Sequence, residues 1–178
     1  MTVIRGVDGL VGAKVTNDGQ LVVRAIQEAE IEHASGEGQA YCWFAPDDNV
    51  GAGDTLLFIK NLGNIPLVLD RLNIKGGNIA SDYQILLGKA TTVPDAINLT
   101  GTNLNPRFGD EADVHAVADE DAIADGTLVE TIHVITAITH HHDLTGIILE
   151  KGVYIQINQE SESTAGACAI YGHFQVIA

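Results

Sequence analysis

Runs of alternating apolar and polar residues, cut at short intervals by Gly, Asn, Asp and Pro, constrain this chain more than any other feature. In K-G-V-Y-I-Q-I-N (residues 151–158), Val153, Ile155 and Ile157 fall on one side of a pleat and Tyr154, Gln156 and Asn158 on the other. A period of two gives a strand one apolar face, so this stretch reads as a half-buried strand. After a polar link over residues 159–164, Cys168, Ile170, Phe174 and Val176 share one face, and Ala167, Ala169, Tyr171, His173 and Gln175 the other. The two runs are expected to pair antiparallel through a hairpin-length loop. The last strand is expected in the middle of a sheet, because an apolar strand left at an edge invites aggregation.

The same punctuation recurs upstream. Strands are expected over residues 39–44, 55–61, 65–74, 83–87, 112–118 and 127–138, with a further strand or helical turn over 144–149. Residues 55–61 are apolar almost throughout, as the centre of a sandwich requires. In 127–138, Leu128, Ile132, Val134 and Ile138 are expected to point inward. Residues 88–105 form a long polar connection, a length usually tied to function or an interface. A chain of 178 residues, 46% of them apolar, is enough for one domain with a core. The predicted architecture is all-β: a single antiparallel, jelly-roll-like β-sandwich over residues 39–178, preceded by an extended N-terminal arm over residues 1–38.

The arm is punctuated by Gly6, Gly9, Gly12 and Gly19, with Asn17-Asp18-Gly19 as a tight-turn signal. Residues 20–33 fit a hairpin with a short helix, and the segment reads as an arm that packs on a neighbour, with a short strand joining the main sheet as the alternative. Its apolar residues are too sparse for a core of its own. Val3, Ile4, Leu10, Val11, Leu21, Val23 and Ile26 are therefore expected to be buried against a neighbour.

Charge narrows the function classes. With 24 acidic residues against 9 Lys and Arg, the formal net charge is −15. A phosphate backbone would be repelled, so nucleic acid is not an expected partner. No apolar run is long enough for a membrane helix and no secretory leader is evident, so no membrane partner is expected and synthesis in a reducing cytoplasm is. Cys42 and Cys168 then read as buried free thiols.

Motifs for chemistry are weak. In His140-His141-His142, strand geometry would let only His140 and His142 converge, and the run reads as an exposed polar turn rather than a metal site. The acidic residues from Asp110 to Asp125 lack the spacing of a calcium loop and read as solvated. Neither a nucleophile motif nor a phosphate-binding loop occurs. No catalytic residue, cofactor or metal is expected, although a sandwich-fold hydrolase shares the architecture.

Several stretches carry a resemblance: D-G-Q-L-V-V-R-A-I-Q-E-A-E-I-E-H-A-S (18–35), A-Y-C-W-F (40–44), G-A-G-D-T-L-L-F-I-K-N (51–61), T-G-T-N-L-N (100–105), and the closing G-V-Y-I-Q-I-N and A-I-Y-G-H-F. In this order they resemble the jelly-roll head decoration, or cement, proteins of tailed bacteriophages. The resemblance implies a non-enzymatic virion protein on the capsid surface. Such a protein binds the major capsid protein across subunits, commonly as a homotrimer, and strengthens the shell. A phage fibre or receptor-binding head domain is similar in these respects and is the alternative.

Overall fold

The computed structural model describes residues 3–5, 12–15, 21–23, 34–46, 51–89, 97–120, 126–162 and 166–175. The chain divides into two units, Met1–Glu30 and Ile31–Ala178. In the first, β1 (Val3–Arg5), β2 (Gly12–Val15) and β3 (Leu21–Val23) form a three-stranded antiparallel sheet. Its register sets Ile4 opposite Ala13 and Ala13 opposite Val23.

The second unit opens with a helical turn at 34–36 and continues through twelve strands. They are β4 (Ala40–Pro46), β5 (Thr55–Asn61), β6 (Leu67–Lys75), β7 (Ser81–Lys89), β8 (Ile97–Asn98), β9 (Thr102–Asn103), β10 (Val114–Glu120), β11 (Thr127–Val134), β12 (Thr139–Asp143), β13 (Ile148–Leu149), β14 (Val153–Gln159) and β15 (Ala167–Phe174). One sheet has the order β12-β6-β15-β4-β9, with β13 also on β6. The other has the order β11-β7-β14-β5-β10-β8. Both are antiparallel throughout.

Eight of these strands make nested antiparallel pairs, β4 with β15, β5 with β14, β6 with β12 and β7 with β11. Four such pairs split between two sheets are the strand order of a jelly roll. The sandwich expected from the alternation is therefore present, and the last strand lies mid-sheet between β6 and β4.

Three expectations are corrected. The runs at 151–158 and 167–174 do not form a hairpin: β14 lies between β5 and β7, whereas β15 lies between β6 and β4 in the opposite sheet. Each turns one apolar face to the shared core, and the link between them crosses from sheet to sheet. Nor is β14 half-buried, since Tyr154 and Gln156 on its outer side are as enclosed as Ile155 and Ile157 on its inner side. Finally, 127–138 is not one strand. Ile132 and Val134 point inward, but Leu128 and Ile138 are each 51% exposed. A bulge between Leu128 and Glu130 resets the alternation, and the chain leaves the sheet after Val134.

The core lies between the sheets. Trp43, Leu72, Ile74, Cys168 and Ile170 face Leu57, Ile59, Ile85, Ile155 and Ile157 across it, all 1% exposed or less. Burying each such Leu or Ile contributes about 1.5–3 kcal/mol. At the end of β5, Asn61 ties turn to sheet. Its Nδ2 donates to the carbonyls of Ile65 (2.9 Å) and Leu149 (2.8 Å), and its Oδ1 accepts from the Gly63 amide (2.9 Å).

Candidate functional site

The tight end of the sandwich is where the 76–80 connection, from β6 to β7, meets the 135–138 connection, from β11 to β12. Gly76 donates to the Ile138 carbonyl at 2.9 Å, and the Ala137 amide reaches the carbonyls of Gly76 and Gly77, both at 3.2 Å. Ala137 holds φ at 57°, a left-handed conformation costly for a residue with a Cβ. A Cβ on Gly76 would collide with the Ile135 carbonyl, so only glycine lets the two loops close this far. The clasp presents Ile79, Ile135 and Ile138 to solvent, 44%, 55% and 51% exposed. Turn residues are usually polar, so three exposed isoleucines on a hydrogen-bonded pair of loops stand out from the usual turn chemistry.

From this end β11 runs along the open edge of its sheet, with Leu128 and Val129 exposed where the bulge interrupts it. Facing it across the sandwich is β12, the edge of the other sheet. The histidine run expected to be a polar turn is this strand, paired residue for residue with β6. His140 and His142 lie opposite Ile74 and Leu72, and their rings stack at 6.3 Å between centroids. The His142 Nε2 lies 3.2 Å from the Glu130 carboxylate on β11, so an imidazole and a carboxylate bridge the two sheets at their open edge. On the other face, the His141 Nδ1 lies 2.7 Å from Asn73 Oδ1. Among the described residues, no three His, Cys, Asp or Glu side chains are gathered as a metal site.

At the opposite edge, Asp110, Glu111 and Asp113 border a cleft of about 180 Å3 beside Tyr41 and Phe174. Burial, and then the Asp110 charge, push the Tyr41 phenol above its ordinary pKa. The two thiols are free and part ways: Cys168 is in the core, whereas Cys42 is half-buried on the outer face of the same sheet. Burial raises both, Cys168 far more.

Of the arm residues, Val3 and Ile4 lie in β1 and Leu21 and Val23 in β3; Leu10, Val11 and Ile26 fall outside the described residues. The clasped tip was missed by sequence reading, because Ile135 and Ile138 continue an apolar run that looks like strand. The usable signal was the Thr136-Ala137 interruption. No described helix is long and apolar enough to cross a membrane. No family model, curated protein or solved structure matches the chain.

Proposed function

We propose that the chain is a structural protein of a tailed-phage virion, a head decoration protein that binds the capsid surface across neighbouring subunits of the major capsid protein. It acts as a homotrimer and through contact area, with neither cofactor nor catalysis. The observation that carries this reading is the clasped end, where Ile79, Ile135 and Ile138 are held outward by a network of backbone hydrogen bonds. A rigid apolar surface loses little freedom on docking, and repetition around a trimer multiplies a modest gain at each contact. The N-terminal unit, with Val3, Ile4, Leu10, Val11, Leu21, Val23 and Ile26, supplies a second attachment surface.

Imaging of the parent particle tests the reading. Regular density of this size over the capsid is the expected result, and density confined to the tail tip would overturn it in favour of a fibre head. In solution, the Ile135→Asp/Ile138→Asp variant should stay folded by circular dichroism yet lose capsid binding at least tenfold, since two apolar contacts are replaced by charge. Binding by this variant at the wild-type level would remove the clasped end from the contact.

A further inference from the structure

The outer face of the β12-β6-β15-β4 sheet has a layout that capsid attachment does not use. Three cross-strand rows span it. The first is Pro46, Ala167, Lys75 and Thr139; the second is Phe44, Ala169, Asn73 and His141; the third is Cys42, Tyr171, Arg71 and Asp143. The middle strand contributes alanines to the first two rows, so a furrow runs along β15 between Phe44 on one side and Asn73 and Lys75 on the other. Two strand spacings set those walls about 9–10 Å apart. Tyr171 closes one end, with the Arg71 guanidinium 4.7 Å from its ring centroid. The hollow measures about 240 Å3. That is under the roughly 300 Å3 at which pockets for drug-sized ligands begin, so it suits a single ring.

Its chemistry is an apolar floor with a donor rim. Phe44 is 54% exposed beside Ala169 on the sheet's outer face, although a large ring there gains nothing from water. Lys75 is exposed, and among the described residues it has no carboxylate partner. Asn73 turns its Oδ1 to His141, which leaves its Nδ2 protons for the furrow, and Thr139 adds a hydroxyl. The one carboxylate in the three rows, Asp143, does not line the hollow, and its Oδ1 accepts from the Thr145 amide and hydroxyl. On a chain of net charge −15, the hollow is thus lined by a cation and hydrogen-bond donors with no carboxylate among its lining residues.

We propose that the furrow is a subsite for a carboxylated sugar ring, a uronic or sialic acid unit of an acidic glycan. The apolar face of the ring lies on Ala169 between Phe44 and Tyr171, its carboxylate meets Lys75, and its hydroxyls meet Asn73 and Thr139. A sugar ring has an apolar face and a polar rim, which matches this floor and this rim. The positive charge selects an acidic sugar over a neutral one.

The proposal does not rest on capsid attachment, and its test uses the purified full-length chain. Saturation-transfer NMR and titration calorimetry would be run with trigalacturonate and 3′-sialyllactose, and with lactose as the neutral control. Binding of at least one acidic sugar, at least tenfold tighter than lactose, is expected. It should weaken about tenfold or more in Lys75→Ala and in Phe44→Ala, and be unchanged in Ile135→Asp. Circular dichroism verifies that each variant is folded. Absence of transfer from both acidic sugars, equal binding of lactose, or full binding by both furrow variants would overturn the proposal. So would a change of oligomeric state in Lys75→Glu, which would make this face an interface between copies of the chain.

Discussion

On the outer face of the β5–β14–β7 sheet, Phe58, Val117 and Tyr154 form a second apolar cluster, all fully buried, with the Phe58 and Tyr154 rings 4.9 Å apart. On the outer face of the opposite sheet, Phe44 is 54% exposed and Arg71 and Lys75 reach solvent. The contrast extends to charge, since Lys60 on the first face is 7% exposed. Both faces belong to antiparallel sheets of the same jelly roll, so strand geometry does not separate them. Cover does. The enclosed face adds to stability, whereas the open face leaves its aromatic and cationic groups free for contacts.

The largest expected effect comes from removing one ring from each face. Phe58→Ala should cost about 3–5 kcal/mol, the range for truncating a buried aromatic side chain. Phe44→Ala should stay within about 0.5 kcal/mol, as surface substitutions do. Urea unfolding of the two variants measures the difference directly, and equal losses would break the comparison.

A smaller effect sharpens it. A Cβ at Gly88 would press into the Tyr154 hydroxyl, and one at Gly126 would meet the Cβ of Leu86 at 3.0 Å. Tyr154 is thus boxed in by two glycines and fully buried. Gly88→Ala should cost about 1–3 kcal/mol, the usual penalty for overfilling a packed site. Gly53→Ala gives the matching control: nothing lies within 4 Å of its Cβ, so any loss there reports the φ of 86° rather than crowding. Equal melting temperatures for Gly88→Ala and wild type would show that the enclosed face yields easily.

Much of this was legible in the sequence, for reasons that individual residues make plain. Residues 55–61 were read with their observed bounds, because a continuous apolar run buried on both faces has one plausible home, the centre of a sandwich. The pairing of β14 and β15 was not legible. Alternation tells which side of a strand faces the core, but not which sheet the strand joins, and both of these strands face the same core. Exposure of Phe44 was hidden likewise: in A-Y-C-W-F aromatic residues occupy both faces, and only the neighbours in space decide that Trp43 is enclosed and Phe44 open. The clasped tip depends on Gly76 meeting Ile135, a contact between residues far apart in sequence.

The smallest effect is chemical and compares the two sides of a single sheet. Cys42 and Cys168 lie on adjacent strands, Cys42 opposite Tyr171 and Cys168 opposite Ala45, so their thiols point to opposite faces. Burial holds both thiols protonated above the ordinary range. For Cys42 the Tyr171 hydrogen bond and the Arg71 charge partly offset this, whereas for Cys168 the neighbouring Cys42 adds to it. A thiol reagent should therefore label Cys42 slowly in the native protein, faster as pH rises, and label Cys168 only when the chain unfolds. The folded pKa of Cys168 is raised above an unfolded value of about 8.5, so the folded state holds this proton more tightly. Its contribution to stability is complete below about pH 8.5 and is lost as pH climbs from there toward the raised folded value. Cys168→Ala should flatten that alkaline decline in urea unfolding, while Cys42→Ala should abolish native labelling. Labelling of both thiols at one rate in the native protein would show that the two sides of the sheet are not as different as their burial implies.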